Sequence, residues 1–237
     1  MDLKEEHLLG DQVNSHWYYQ AKLDALTAMV KGVPATEILD IGAGSGYFSK
    51  ALLTRTAATR ATCVDLGYPA DRDETVAGKP IAFRTSLDRS AADLVLMMDV
   101  IEHVEDDVGL VADYVGKVAA GTRFVVTVPA FMWLWSGHDV FLEHYRRYTL
   151  AGIEAVLAKA GLTIEKGAYF YGAVLPLVAG VRLAKQLTAP NAAPESDMRR
   201  YSPLVNSLLY GVCKAEVAVM GLNRLGGTSA LVRAVKR

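Results

Sequence analysis

Between residues 37 and 128 the chain alternates short apolar runs with stretches in which apolar residues recur every three or four positions. That alternation predicts parallel strands joined by helices, stacked as a sheet covered on both faces. The runs Glu37–Ile41, Ala61–Leu66, Ile81–Arg84, Asp93–Met98 and Arg123–Val128 read as strands. From Leu94 to Met98 every residue is apolar, the pattern of a central strand buried on both faces. A helix is expected from Tyr47 to Thr54, and Val108, Val111, Val115 and Val118 form the apolar stripe of the next, stopped by Gly121. Leu150, Ile153, Leu157 and Ala160 mark another helix, with Thr149 as its N-cap and Gly161 as its stop. Strands at Leu162–Phe170 and Ser229–Val235 complete the expectation: an α/β fold with a mostly parallel, seven-stranded sheet and helices on both faces.

Four segments follow. Residues 1–35 hold a helix-compatible stretch in which His16, Trp17, Tyr18, Tyr19 and Lys22 precede Leu23, Leu26 and Met29, an N-terminal helical cover broken at Pro34. Residues 36–171 are the core. Residues 172–226 are an insertion that a minimal fold does not need, and residues 227–237 are the last strand. Within the insertion, residues 172–187 are apolar and read as helical despite Pro176. Residues 188–203, with Pro190, Pro194 and Pro203, read as a mobile loop. Leu204, Leu208, Val212, Ala215 and Val219 share one face of a second helix. The plain reading is a helical pair covering one end of the sheet. A lid over an apolar ligand, a homodimer interface and a peripheral membrane contact are the others, the last favoured weakly by Arg182, Lys185, Arg199 and Arg200.

Composition narrows the class. With 237 residues, 51% hydrophobic and 22% charged, the chain suits one full domain with an elaboration. Its mean hydropathy of +0.19 is that of a slightly greasy soluble protein. Lys+Arg 25 against Asp+Glu 26 leaves no basic footprint, which disfavours nucleic acid as a partner. Cys63 and Cys213 are too far apart in sequence to suggest a disulfide framework or a paired-cysteine metal site. The acidic N-terminus lacks the pattern of a signal peptide, and no apolar run reaches membrane-spanning length, so a cytoplasmic protein is expected, membrane association remaining open.

The strongest local signal is Ile38-Leu39-Asp40-Ile41-Gly42-Ala43-Gly44-Ser45-Gly46, a buried strand running through three glycines into a helix. The glycines permit a tight turn, and helix N-terminal amides then face a ligand. A dinucleotide loop would place Gly or Ala where Tyr47 stands, so the spacing favours a ligand without a phosphate there. Asp40 offers a carboxylate to an ammonium or sulfonium group. Asp65, at the end of the second strand, is placed to hold ribose hydroxyls.

This loop resembles motif I of class I methyltransferases, and Cys63-Val64-Asp65-Leu66-Gly67 resembles their motif II. The resemblance implies S-adenosylmethionine as cofactor and S-adenosylhomocysteine as product. It implies that Asp40, Gly42, Gly44 and Gly46 support the methionine moiety, and that Asp65, with Leu66 beside it, holds the ribose. Adenine recognition then falls on Ser86 and Leu87, or on Asp88. The run Asp99-Val100-Ile101-Glu102-His103-Val104 resembles motif IV of the family. It places Asp99 near the cofactor and His103 either as general base for an acceptor hydroxyl or amine, or as a packing residue beside the cofactor.

The segment from Val128 through Trp133, Trp135, His138 and Asp139 to His144-Tyr145-Arg146-Arg147-Tyr148 is similar to a bacterial branch of ubiquinone-biosynthesis-type small-molecule methyltransferases. Trp133, Trp135 and Tyr145 would wall the acceptor pocket, with His138 or His144 as base and Arg146 or Arg147 pairing with an acceptor anion. Equally, the arginines bind internal carboxylates and the tryptophans are core. A metal held by His138, Asp139, Glu143 and His144 is conceivable, but no metal is expected. The expected activity is in-line methyl transfer to O or N of a small-molecule or lipid-like acceptor. The rivals are a non-catalytic protein of the same fold that binds the cofactor or a partner, and an NAD-dependent oxidoreductase, which Tyr47 opposes.

Overall fold

The computed structural model describes residues 8–188 and 193–237. Helix α1 (Trp17–Val30) precedes β1 (Glu37–Ile41), α2 (Tyr47–Arg55) and β2 (Arg60–Val64). The strands β3 (Arg72–Val76), β4 (Lys79–Arg84) and β5 (Leu94–Met98) lead to α3 (Asp107–Lys117) and β6 (Arg123–Pro129). Next come a short α4 (Gly137–Phe141), α5 (Leu150–Lys159) and β7 (Leu162–Phe170). The insertion supplies α6 (Leu175–Thr188) and α7 (Pro203–Val217), and β8 (Ser229–Lys236) closes the sheet.

The sheet has eight strands, not the expected seven, in the order β3-β4-β2-β1-β5-β6-β8-β7. β3 accounts for the difference. It pairs antiparallel with β4 at the sheet edge and is largely exposed, so Arg72, Asp73, Glu74 and Thr75 carry no apolar signal. Its hairpin turns through Ala77 (φ 52) and Gly78 (φ 74), two left-handed residues that suit a tight two-residue turn. The pairs β1–β2, β1–β5, β2–β4 and β5–β6 are parallel, whereas β8 runs antiparallel to both β6 and β7.

β5 is wholly buried and alternates its side chains between two cores. Leu94, Leu96 and Met98 join the core that holds Leu23 and Leu26 of α1, Leu52 of α2 and Cys213 of α7. Val95 and Met97 join the other, against Val111 of α3 and Leu157 of α5. Thr149 caps α5 as expected, accepting from the Gly152 N–H at 3.0 Å.

The insertion folds as two helices, of which α7 packs on α1. Asn206 of α7 accepts from the Trp17 N–H at 2.8 Å and donates to the Ser15 carbonyl at 2.8 Å. Tyr210 donates to Asp24 at 2.8 Å. Pro176 sits in the first turn of α6, where a missing N–H costs little. The expected loop at 188–203 falls partly outside the described residues. No helix among the described residues is long and apolar enough to cross a membrane.

Candidate active site

β1 lies between β2 and β5; the chain passes from β1 to β2 on one side and later from β4 to β5 on the other, and this reversal of strand order opens a crevice at the carboxyl ends. The glycine loop lines it. Gly42, Gly44 and Gly46 have φ of 61, 54 and 73 degrees, values that L side chains rarely adopt. A Cβ on Gly42 would stand 2.8 Å from Val100, and one on Gly46 would stand 3.1 Å from Phe83 and 3.2 Å from Cys63. These two glycines are therefore required by the seat of the loop on the sheet as well as by its handedness.

Asp65 fastens the loop from below. Its carboxylate accepts from the Gly44 N–H at 2.9 Å and the Gly67 N–H at 2.8 Å, while the Tyr68 hydroxyl donates to the Gly44 carbonyl at 2.6 Å. Asp40 lies buried under the same turn, accepts from the Ser49 hydroxyl at 2.8 Å, and is pushed by burial to a pKa of about 6. Leu66 is 94% exposed, Ser86 is exposed and Leu87 half-buried, at the ends of the neighbouring strands β2 and β4.

The end of β5 carries the second half of the site. Asp99 leaves the strand in a left-handed conformation (φ 56), tolerable for aspartate, and accepts from the Thr127 hydroxyl at 3.0 Å. Its other oxygen is ion-paired with Lys22 of α1, whose side chain is completely buried and also donates to the Tyr18 hydroxyl at 2.8 Å. Burial alone would raise the Asp99 carboxyl. The Lys22 ammonium and the two hydrogen bonds outweigh it and hold the group below the usual range.

Glu102 and His103 follow on a 3-10 turn, Ile101–His103. Glu102 is fully buried, and neither carboxyl oxygen has a hydrogen-bond partner among the described residues. Burial first, and the Asp99 charge second, push its pKa well above the ordinary value.

Opposite stands the loop after β6. Ser136 and Asp139 form a capping box at α4, and buried Asp139 becomes a hub. It accepts from Arg147 Nε at 2.6 Å and from the Ser136 N–H at 2.9 Å, and it meets His144 Nδ1 at 2.9 Å. Burial opposes its ionisation, yet His144 and Arg147 hold the carboxyl well below the usual range. The Asp139 carboxylate favours a proton on His144 Nδ1, which leaves Nε2 as the ring atom turned away from that hydrogen bond. Its ring packs edge-on to that of His103, centroids 4.7 Å apart.

Asp99, Glu102, His103 and His144 form the polar floor of a cavity of about 450 Å³. Its apolar walls come from the N-terminal cover and the insertion, with Tyr18 from α1, Leu177 and Val181 from α6, and Val205 and Leu209 from α7.

The remaining sequence candidates have other places. His138 also lines the cavity, but its Nδ1 accepts from the Asp197 N–H at 3.1 Å, and burial, helped by nearby arginines, lowers its pKa to about 4. Arg147 lines the cavity with its guanidinium bound to Asp139 and to the Ala130 carbonyl at 3.1 Å. Arg146 binds Asp107 at 3.3 Å and the Glu105 carbonyl at 2.7 Å. Trp133 is 60% exposed and stacks on Phe131 outside the cavity. Trp135 and Tyr145 wall a second, outer cavity of about 440 Å³ that shares His103 and His144 with the first. The quartet His138, Asp139, Glu143 and His144 does not converge: Asp139 is spent on Arg147 and His144, and His138 on the backbone at Asp197.

Lys22 was not singled out as a site residue from sequence; Glu102 was placed at the strand end without a role, Asp139 only in the metal quartet, and Arg182 only as support for a membrane contact. For Lys22 a signal existed: a lysine four residues after Tyr18, on a helix whose neighbouring positions are apolar, is placed to reach inward.

An α/β sheet with this strand order, a glycine loop at its switch point and an acidic residue ending the next strand define a class I methyltransferase fold. The chain belongs to the methyltransferase-domain family, which it matches over residues 15–166. Comparison with curated sequences gives no match. Among solved structures it is similar to a chain of the complex between the Haloferax volcanii Trm112 methyltransferase activator and a methyltransferase, at 17% identity and TM-score 0.57, covering 98% of this chain and 93% of that one. It is also similar to phosphoethanolamine N-methyltransferase 2 of Haemonchus contortus in complex with S-adenosylmethionine, at 17% identity and TM-score 0.57, covering 98% of this chain and 56% of that one. The mitomycin 7-O-methyltransferase MmcR matches at 13% identity and TM-score 0.52, covering 92% of this chain and 54% of that one. The chain thus spans a little over half the length of the last two.

Proposed function

We propose that this chain binds S-adenosylmethionine in the crevice at the ends of β1, β2 and β4, and transfers its methyl group to an oxygen or nitrogen of an acceptor with a large apolar body. The residues present fit the cofactor. Asp65 keeps carboxylate lone pairs for a ribose diol, Leu66 and Leu87 offer apolar faces to a base, and the Ser86 hydroxyl is exposed beside them. When bound, the cofactor supplies an already activated methyl group, so the protein's contribution is mainly alignment and removal of the acceptor's proton.

One observation carries the reading of the acceptor: the 450 Å³ cavity pairs the polar floor of Asp99, Glu102, His103 and His144 with a predominantly apolar lining that includes Leu177, Val181, Val205 and Leu209, although Arg182, Lys185 and Asp197 of the insertion also reach it. An acceptor would bury its apolar body between α1, α6 and α7 and direct its polar end toward His103 and His144. His144 is the better oriented of the two, because Asp139 fixes its ring and Arg147 fixes Asp139. The similarity to O- and N-methyltransferases supports transfer to a heteroatom.

Calorimetric titration with S-adenosylhomocysteine tests the cofactor site. The wild type should bind in the micromolar range, and Asp65→Ala should weaken binding by about tenfold or more, the loss expected for a charge-assisted hydrogen bond of about 1.5–3 kcal/mol. No binding by the wild type would sink the proposal.

A further inference from the structure

We propose that Glu102, His103 and His144 hold a divalent transition-metal ion on the floor of the cavity. Each offers one ligand atom, and the three atoms lie within 4.8 Å of one another. Ligands about 2.1 Å from a shared ion stand roughly 3–4 Å apart, so side-chain rotations of less than about an ångström close the set.

Proximity alone would not distinguish a metal site from a polar cluster. Glu102 makes the distinction. A completely buried carboxyl with neither oxygen bonded is a rarity in native proteins, where buried polar groups find partners. Nothing in the fold requires an acid there. The turn carrying Glu102 is fixed through its backbone, its carbonyl accepting from the Tyr145 N–H at 2.7 Å, and this bond also ties the turn to the segment that carries His144. The two ligand-bearing segments are therefore held together before any ion arrives.

His144 adds a second, independent feature. Metal-ligating histidines typically donate their other ring N–H to a carboxylate, which sets the tautomer and the ring's orientation. Asp139 does this at 2.9 Å, and is itself held by Arg147 and the Ser136 N–H. Two imidazoles and one carboxylate suit zinc, iron, cobalt or nickel better than magnesium or calcium, which prefer all-oxygen sets. The outer cavity walled by Trp135 and Tyr145 reaches the same two histidines from the other side and gives an ion its way in.

Three protein ligands leave coordination positions open toward the inner cavity, where a hydroxyl or other oxygen of the acceptor would complete the sphere. That role rests on the methyl-transfer reading above, and in it the imidazoles are ligands rather than bases. Metal binding itself does not depend on that reading.

The test is titration of chelator-stripped protein with Co²⁺, followed by its visible ligand-field absorption, and with Zn²⁺ by calorimetry. Binding of about one equivalent per chain is expected, with Glu102→Gln and His144→Ala each weakening it by about a hundredfold, the order seen when metal-site groups are lost. Glu143→Gln, a neighbouring carboxylate outside the set, should bind as the wild type does. Thermal melting of each metal-free variant separates loss of a ligand from loss of the fold, and any variant that fails to fold is replaced by His103→Gln in the same titration. Wild type that takes up no ion, or uptake unchanged in Glu102→Gln and in the histidine variants, overturns the site. Ion binding without binding of S-adenosylhomocysteine would keep the metal site and remove the methyl-transfer reading. The reverse pair of results would do the opposite.

Discussion

Replacing Lys22 with methionine should destabilise the protein by about 3 kcal/mol, and the structure shows why the figure falls there. The Lys22 ammonium is completely buried, and its partner Asp99 retains 28% of its side-chain exposure. Breaking a fully buried ion pair by removing one member costs about 3–5 kcal/mol, because the other charge is left without compensation. Asp99 keeps its hydrogen bond from Thr127 and some contact with solvent, which places the cost at the lower end. The same physics predicts that Lys22→Met combined with Asp99→Asn lies within about 1 kcal/mol of wild type, since removing both charges also removes the cost of burying them. Asparagine tolerates the left-handed backbone at position 99, so the second substitution adds no strain. Asp99→Asn alone should cost about 3–5 kcal/mol, because it leaves the completely buried Lys22 ammonium unpaired, so the two changes should be coupled by about 5 kcal/mol or more in a double-mutant cycle. Urea unfolding at neutral pH measures all four free energies. A loss below about 1 kcal/mol for Lys22→Met, or a double variant as unstable as the sum of its parts, would refute the claim that this pair is buried and mutually dependent.

Gly46→Ala should destabilise by about 1–3 kcal/mol in thermal melting and weaken S-adenosylhomocysteine, because it combines a left-handed backbone with contacts of 3.1–3.2 Å to Phe83 and Cys63. Arg147→Ala should cost about 3 kcal/mol in urea unfolding, since Asp139 is completely buried and keeps only the more distant Arg182, at 3.9 Å, as a cation. The Asp40 carboxyl loses its proton at pH about 6 when folded and near 3.8 when unfolded, so between those values the native state binds more protons and stability falls as pH rises. The accumulated cost of about 3 kcal/mol is complete above pH 6, and Asp40→Asn should erase that slope in unfolding measured across this range.

The parts of the fold that were legible in sequence are those whose burial is written in residue type. β5 reads directly from its five apolar residues because both of its faces are covered. The α3 and α5 stripes read from their spacing because only one face of each is covered. β3 was illegible for the opposite reason: an exposed edge strand is held by backbone hydrogen bonds and a turn, neither of which asks for apolar side chains. The site divides along the same line. The glycine loop and Asp65 announce themselves because backbone handedness and a strand-end position restrict residue type. Lys22, Glu102 and Asp139 do not, since their roles depend on folded geometry: Lys22 on Asp99, far away in sequence, Glu102 on the approach of His144 to His103, and Asp139 on how the loop turns Arg147 and His144 toward it. The arginines show the ambiguity in miniature. Arg146 and Arg147 are adjacent, yet one stays partly exposed beside Asp107 while the other is buried against Asp139, a distinction that only tertiary structure makes.

The backbone marks the site in a way that sequence conceals. The chain leaves β5 through Asp99 (φ 56), β6 through Phe131 (φ 60) and β7 through Tyr171 (φ 62), none of them glycine, all at the edge where the cavity opens. Left-handed non-glycine residues cost of order 1 kcal/mol or more each and persist only where their surroundings leave no alternative. Here the surroundings are identifiable. Asp99 is fixed by Lys22 and Thr127, and the Phe131 N–H donates to the Tyr148 carbonyl at 2.8 Å while its ring stacks on Tyr169. Tyr171 stacks on Tyr18 with centroids 5.0 Å apart and donates its hydroxyl to the Tyr18 carbonyl. Two of the three anchors, Lys22 and Tyr18, belong to α1, four residues apart on one helical face. The N-terminal helix is therefore more than a cover: it holds two strand exits in the conformation that aims Asp99 at the cavity and starts the insertion over it. Loss of α1 would accordingly release the geometry of the polar floor and at the same time uncover the face of β5 on which Leu23 and Leu26 pack.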